Sequence, residues 1–375
     1  TSGTSDTASG FALDNSLVSG NGNAAGERGL DADNLRGQSS ISSSTITGSA
    51  EENARIDNDS GRLDLKVTSS TFSSSSTTLG GDGLQLYGDG TALMRSSITG
   101  STFTANRDDG LQVTTAGGTT PSPTMHTTFN GNTVVASGNT GSTNNAGVVI
   151  SPAAASTTFF QMNGGSIKGS EASALILNPL GTAQFDATIE NITIGAAGEA
   201  QSGSEAGIGL WAKPVQNSDA EIAIRNSTIQ QYAQNGMYLR HNDGTTGVAD
   251  YTVTGNTIIT PNPGLRGIYL ESGATATDTQ HICADIGGAG GLANSLSTAG
   301  GQGLEDIYVT KYQNSTFRFP GLTNNTDAGI ASYLANRNNG NGLPTAFYET
   351  AGGAAPVTGN NTPCDQPTLP TAPLP

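Results

Sequence analysis

The sequence predicts an all-β protein, a right-handed parallel β-helix of about nine coils with three strands in each coil. Short segments rich in Val, Ile, Leu and Thr alternate with segments rich in Gly, Asn and Ser, a pattern that indicates many short strands and excludes a helical protein. The segments recur at intervals of about 30 residues. Apolar and polar residues alternate within them, so each strand has one face to bury.

One recurring element sets the period of the repeat. It is Gly or Ala followed by an aliphatic, a variable and an aliphatic residue, at Gly83–Leu86, Gly110–Val113, Gly147–Ile150, Ala174–Leu177, Gly207–Leu210, Gly236–Leu239 and Gly267–Leu270. A second element places Ser, Thr or Asn before a large apolar residue, at Thr71–Phe72, Thr102–Phe103, Thr133–Val134, Ser166–Ile167, Asn191–Ile192, Thr228–Ile229 and Thr257–Ile258. A third, weaker element precedes the second, at Asp64–Val67, Gln184–Ala187, Ile222–Ile224 and Tyr251–Val253.

Stacking explains how strands this short can be buried. Each coil covers the apolar face of the coil before it, which requires parallel strands, and parallel crossovers are almost always right-handed. Alternation predicts that Met237 and Leu239 face inward while Tyr238 faces outward. Gly83 and Gly110 each follow an Asp, which predicts tight corners with positive φ.

The ends of the chain depart from the repeat. We expect a flexible lead-in over 1–10, the β-helix over 11–320, a C-terminal cap over 321–354 and a Pro/Thr-rich tail or linker over 355–375. Within the cap, an N-cap candidate at Thr326 or Asp327 and apolar residues at helical spacing predict a short helix. A helix there would cover the exposed strand edges of the last coil.

Charge and hydropathy narrow the function classes. The chain has 15 Lys+Arg against 31 Asp+Glu, a net charge of -16, which argues against a nucleic-acid partner. No apolar run is long enough for membrane insertion. The segment starting at Thr1 lacks a signal-peptide pattern, so we expect a mature or excised piece.

The two cysteines are Cys283 and Cys364. In a secreted chain they would form a disulfide that ties the tail to the end of the repeat region, whereas in a cytosolic chain they would be two thiols. The disulfide is favoured because the rest of the composition is typical of an extracellular protein.

Catalytic groups are sparse. The best cluster is Arg240–Asp243 with Arg266 one coil later, where stacking would bring Arg240 and Arg266 within reach of each other. Arg240, Asp243 and Arg266 are therefore the candidate catalytic residues of a polysaccharide lyase. Glycoside hydrolysis needs paired carboxylates, and the sequence offers no matching pair at one or two coil spacings. We therefore predict no enzyme, with turn and salt-bridge roles for these residues.

Two other features have both a functional and a structural interpretation. Gly80–Leu84 and Gly88–Gly90 resemble Gly/Asp-rich calcium turns, but they do not repeat in tandem, so a structural role is favoured and weak surface calcium binding is the alternative. No other cofactor is expected. Trp211 could be a sugar-stacking platform, although a single Trp beside an apolar run is more often packed.

The coils Gly255–Ile258 and Arg266–Leu270, followed by Cys283–Gly288, Arg318–Gly321 and the short helix, carry a family resemblance. They resemble the β-helical passenger regions of large bacterial surface proteins such as adhesins and autotransporter passengers, over roughly 11–350. The resemblance implies a secreted or cell-surface, structural or adhesive rod that binds copies of itself, surface glycans or matrix. The alternative is a polysaccharide lyase or hydrolase of pectate-lyase-like fold.

Overall fold

A computed structural model describes residues 10–374, except 23, 76–80, 117–121, 139–144, 262–264, 276, 299–305, 313, 341–345, 352–356 and 372–373. The strands are β1 Ala12–Asp14, β2 Leu17–Ser19, β3 Leu30–Asp33, β4 Gly37–Ser42, β5 Thr45–Thr47, β6 Ala54–Asn58, β7 Arg62–Thr68, β8 Thr71–Ser73, β9 Leu84–Gly88, β10 Leu93–Thr99, β11 Thr102–Thr104, β12 Leu111–Thr115, β13 Thr124–Asn130, β14 Thr133–Val135, β15 Ala146–Ser151, β16 Thr157–Asn163, β17 Ser166–Lys168, β18 Ser173–Leu177, β19 Gln184–Glu190, β20 Thr193–Ile194, β21 Leu210–Ala212, β22 Asp219–Arg225, β23 Thr228–Gln230, β24 Asn235–His241, β25 Val248–Thr254, β26 Thr257–Thr260, β27 Arg266–Ser272, β28 His281–Ile286, β29 Ser295–Thr298, β30 Ile307–Tyr312, β31 Thr316–Pro320, β32 Asn339–Gly340, β33 Ala346–Ala351 and β34 Val357–Asn360. The helices are a 3₁₀ turn at Gly290–Leu292 and α1 at Asp327–Asn336.

The strands form three parallel sheets. Sheet A holds 12 strands in the order β1-β4-β7 through to β34, sheet B holds 11 from β2 to β32, and sheet C holds 11 from β3 to β33. Each coil gives one strand to each sheet, so the predicted parallel β-solenoid is confirmed. The prediction of about nine coils describes its regular part, and strands outside the recognisable repeat, such as β1 and β34, extend the sheets at both ends.

The interior between the sheets is one continuous apolar core. Met237 and Leu239 are fully buried while Tyr238 is half-buried on the outside, as alternation predicts. Equivalent side chains of neighbouring coils stack inside; for example, the Phe72 and Phe103 ring centroids are 5.1 Å apart. The repeat thus supplies the core that no single coil could form.

Buried polar residues close the corners. Asn256 Nδ2 donates to Asn294 Oδ1 at 2.9 Å, and Asn294 Nδ2 donates to Asn338 Oδ1 at 2.8 Å, so their amides form a ladder along the coils. The predicted positive φ at Gly83 and Gly110 is wrong, because neither lies in the left-handed region. Glycine is needed at Gly110 because a Cβ there would lie 2.6 Å from the carbonyl oxygen of Gly147 in the next coil.

The predicted cap helix is confirmed as α1. Thr326 is its N-cap and its Oγ1 accepts a hydrogen bond from the Gly329 amide at 3.2 Å. Ile330 and Leu334 are fully buried against the last coil. Within the described part of the chain, no helix is long and apolar enough to cross a membrane.

The C-terminal tail packs against the solenoid. β34 is the last strand of sheet A, and a disulfide joins Cys364 to Cys283 with their Cα atoms 5.5 Å apart. The chain then runs back over sheet A, where Thr368 contacts Asp186 in β19. Pro and Thr residues are compatible with this course because an extended segment can lie across strands without joining their hydrogen-bond ladder.

Candidate functional site: an aromatic row on sheet C

One outward position of sheet C carries rings on successive strands. Strand register aligns Trp211 with Tyr238, Tyr238 with Tyr269, and Tyr269 with Tyr308. We call these four residues the aromatic row. Each side chain is half-buried. The row spans four strands of the sheet, about 14 Å along the solenoid.

The rings of the row stack on one another. Trp211 and Tyr238 have centroids 5.9 Å apart and are nearly parallel at 3°. Tyr238 and Tyr269 are 4.6 Å apart at 2°, while Tyr308 is tilted by 58° from Tyr269 at 5.2 Å. Because the ring faces cover each other, the row presents mainly ring edges and phenol groups outward, and ring edges carry partial positive charge.

Three cations accompany the rings. Lys213 Nζ lies 4.1 Å from the Trp211 ring centroid. Arg240 Cζ lies 5.9 Å from the Tyr238 ring centroid, and Arg266 Cζ lies 4.0 Å from that of Tyr308. These contacts are within the range of cation–π attraction, so the rings help to hold the cations on this face.

Burial shifts the pKa values of Lys213 and of two tyrosines of the aromatic row. It lowers the pKa of Lys213 to about 8, with repulsion from Arg240 adding to the effect. Burial, followed by hydrogen bonding and charge from Glu271, raises the pKa of Tyr238 and Tyr269, which therefore stay neutral phenols. Tyr269 Oη donates to Glu271 Oε2 at 2.7 Å, which fixes that ring in place.

Two grooves flank Trp211. One has a volume of about 540 Å³ and is lined by Val149, Ile176, Trp211, Lys213 and Arg240 together with the amide side chains of Asn145 and Asn178. The second has a volume of about 340 Å³ and continues along Trp211, Tyr238 and Arg240. Trp211 Nε1 is buried and has no hydrogen-bond partner among the described residues. The grooves therefore combine apolar walls with donors and positive charge.

The residues predicted for a lyase are not brought together. Arg266 is level with Asn235 at the start of its strand, whereas Arg240 is level with Glu271 near the end. The two Arg backbones are therefore offset by about 16 Å along the sheet, and the expected lateral contact is wrong. Asp243 lies exposed in a turn with φ of 60°. Arg240 and Arg266 instead lie beside rings of the aromatic row.

The aspartates of the predicted calcium turns accept backbone hydrogen bonds at the corners of the coils. Asp82 and Asp109 are buried, with Asp82 Oδ1 accepting from the Asp109 amide and Asp109 Oδ1 from the Ala146 amide. Burial raises the pKa of Asp109 to about 8, so this carboxyl is a poor cation ligand at neutral pH. Gly80 lies outside the described residues.

Sequence reasoning also missed a row of carboxylates on sheet A. Register aligns Asp186 with Glu221, and Glu221 with Asp250, on β19, β22 and β25. The expectation that no carboxylates recur at one or two coil spacings is therefore wrong. We call these three residues the carboxylate row.

Burial, together with crowding of like charges, raises the pKa values of the carboxylate row. Burial first, and then the negative charge of Asp186, raises the pKa of Glu221 to about 7. Burial likewise raises the pKa of Asp250 to about 6, opposed by an amide hydrogen bond from Asp365 and by the charge of Arg318. A groove of about 360 Å³ lies beside this row.

A two-residue error in alignment hid the aromatic row and also affected Asp186 of the carboxylate row. The repeat element Gly207–Leu210 suggested that Ile208 is equivalent to Met237, but register pairs Leu210 with Met237. Likewise, Asp64 is not level with Gln184, since β7 connects through Arg95, His126 and Phe159 to Asp186. An alignment anchored on the rings themselves would have found the aromatic row.

No model of a protein family, no curated protein and no solved structure matches this chain. The fold defines its class, a parallel β-solenoid. The fold alone does not specify a function, which depends on the side chains it carries.

Proposed function

We propose that this protein is an extracellular adhesive rod that binds an acidic glycan along the aromatic row of sheet C. The observation that carries the proposal is the alternation of four rings with three cations beside the two grooves. Ring edges and the cations favour an electron-rich, anionic ligand. Hydroxyl groups of a sugar would find donors and acceptors in Asn145 and Asn178.

Three features support a polymer rather than a small molecule. The row runs along the solenoid axis for about 14 Å, and both grooves follow the same direction past Trp211. The site is a shallow outer face, which suits a glycan chain that continues beyond it.

Extracellular placement is supported by the Cys283–Cys364 disulfide, since disulfides persist in oxidising compartments.

The test uses the only tryptophan of the chain, Trp211, as its fluorescent reporter. Oligogalacturonate is the acidic probe and a neutral maltooligosaccharide of equal length is the control. We expect saturable quenching by the acidic probe, weaker at high salt, and no saturation by the neutral one. Calorimetry should show that Arg240→Gln weakens binding about tenfold, whereas the matched variant Asp243→Asn does not.

Binding of acidic glycans other than galacturonate is tested on an array of uronate-containing and sulfated oligosaccharides. Absence of any binding on the array, or equal binding by Arg240→Gln and the unchanged protein, would overturn the proposal.

Polysaccharide hydrolysis is a second candidate, and the carboxylate row favours it. The Cα atoms of Asp186 and Asp250 lie two strands apart, about 10 Å, near the carboxyl separation used by inverting glycosidases. A raised pKa, as for Asp250, suits a general acid. New reducing ends from polygalacturonate that disappear in Asp186→Asn would support this candidate.

A further inference from the structure

The tail segment 364–368, here called the strap, crosses four neighbouring strands of sheet A. Cys364 is bonded to Cys283 in β28, and the Asp365 amide donates to Asp250 Oδ1 in β25 at 3.1 Å. Arg225 Nη2 in β22 donates to Gln366 Oε1 at 2.7 Å. The Thr368 amide donates to Asp186 Oδ2 in β19 at 3.1 Å.

The strap is held through its backbone and through the side chain of Gln366, whose Nε2 donates to Thr252 Oγ1 in β25 at 2.6 Å. Two carboxylates of sheet A accept main-chain N–H groups of Asp365 and Thr368, which are three residues apart. An extended chain covers about 9 to 10 Å in three residues, which matches the two-strand separation of Asp250 and Asp186. Any extended peptide with two N–H groups at this spacing could make the two main-chain contacts, and the two Gln366 side-chain contacts add a sequence preference.

The strap is only superficially attached apart from its tether. Asp365, Gln366 and Thr368 are all exposed, whereas the disulfide at Cys364 is buried. Glu221 lies between the two docking carboxylates, and the groove of about 360 Å³ opens beside Thr368. Polar contacts of this exposed kind contribute little individually, so the tether accounts for much of the occupancy.

We propose that the strap is a tethered, displaceable occupant and that the carboxylate row beneath it is a docking surface for an extended polypeptide. The tether keeps the strap at a high effective concentration, so an untethered peptide competes poorly while the strap is in place. Sheet A is then an autoinhibited binding face, independent of the glycan face on sheet C.

The probe is a fluorescent synthetic peptide covering 363–371 with Ser in place of Cys364. One protein is the full oxidised chain, and the other carries Cys283→Ser and ends at Thr362. We expect the shortened protein to bind the probe and the full chain to bind it at least 100-fold more weakly. Circular dichroism verifies that the shortened protein keeps its β-solenoid.

Matched variants locate the contact. In the shortened protein, Asp186→Asn or Asp250→Asn should weaken binding about tenfold, whereas Asp14→Asn, on β1 of the same sheet, should not. N-methylation of the probe at the Asp365 or Thr368 amide should abolish binding, and N-methylation at Leu369 should leave it unchanged.

A second design avoids dependence on folding of the shortened chain. A specific protease site placed between Thr362 and Pro363 allows the full chain to fold before the strap is cut and the disulfide reduced. The strap peptide should then leave the protein on gel filtration, and the probe should bind. A folded protein without its strap that fails to bind the probe, or a full oxidised chain that binds it equally well, would overturn the proposal.

Discussion

The outer faces of sheets A and C carry different side chains, although the same stacking of coils forms both sheets. On each face, one outward position repeats from coil to coil and forms a row of side chains. Sheet C carries rings and cations in that row, and grooves remain open beside it. Sheet A carries Asp186, Glu221 and Asp250, and the strap lies across them.

Stacking has opposite consequences for the two rows. Offset aromatic rings attract one another, and cations gain from lying over them, so repetition stabilises the sheet C row. Carboxylates at strand spacing repel, so the sheet A row depends on proton uptake by Glu221, on amide donors of the strap and on Arg318 near Asp250. A row of like charges therefore needs partners from elsewhere in the chain.

The largest expected effect comes from breaking the disulfide that attaches the strap. Replacing both Cys283 and Cys364 by Ser should lower the free energy of unfolding of the C-terminal coils by about 4 kcal/mol, because the disulfide closes a loop with a sequence separation of 81 residues. Urea denaturation followed by circular dichroism measures this loss. An unchanged midpoint would contradict a stabilising role, and Trp211 fluorescence at zero urea should stay the same because sheet C is not altered.

The next effect concerns protonation of the carboxylate row. The pKa of Glu221 is about 7 against an ordinary value of 4.5, so the folded protein holds this proton more tightly than the unfolded chain does. The resulting stability is present below about pH 4.5 and is lost as the pH rises through 7. Thermal unfolding at pH 5 and pH 8 should reveal the decline.

Glu221→Gln should reduce this decline, and the remainder belongs to other carboxyls with raised pKa values, such as Asp250 and Asp109. It should raise stability at pH 8 by about 1 kcal/mol, after allowance for solvent screening of a partly exposed group. Glu199→Gln changes an exposed carboxylate outside the row and is the control. An identical pH profile for Glu221→Gln and the unchanged protein would contradict our account of the row.

The smallest effect sharpens the role of sheet C. Because the pKa of Lys213 is lowered to about 8, its positive charge is lost between pH 7 and pH 9. Affinity for oligogalacturonate should fall about threefold over that interval. Lys213→Arg keeps its charge and should bind equally at both values by calorimetry; an equal fall in this variant would assign the pH dependence to another group.

Much of the fold could be predicted because its causes are local. Alternation around Met237 and Leu239 placed them inside, and the capping pattern at Thr326 located the helix. Repetition then implied parallel sheets, since coils this small can be buried only by stacking. The two cysteines raised the disulfide as one of two alternatives, and only the folded tail brings Cys364 to Cys283.

The candidate sites could not be predicted because they depend on register between coils. Gly207–Leu210 fits the repeat element as well as Gly209–Ala212 does, although Gly209–Ala212 is the segment in register with Gly236–Leu239. A shift of two residues keeps the same face inward. Hydrophobic pattern therefore cannot distinguish the two alignments. Packing of whole coils decides which outward residues become neighbours, and so placed Trp211 beside Tyr238 and Glu221 beside Asp186.

Sequence by itself thus determined the β-solenoid, its inward faces and its cap, because each follows from periodicity and capping within short segments. Tertiary structure alone decided the aromatic row, the carboxylate row and the strap across it. Those features join residues from different coils, and the strap contact of Thr368 with Asp186 spans 182 residues of sequence. Loops of unequal length between coils leave such distant neighbours unspecified until the strands are stacked.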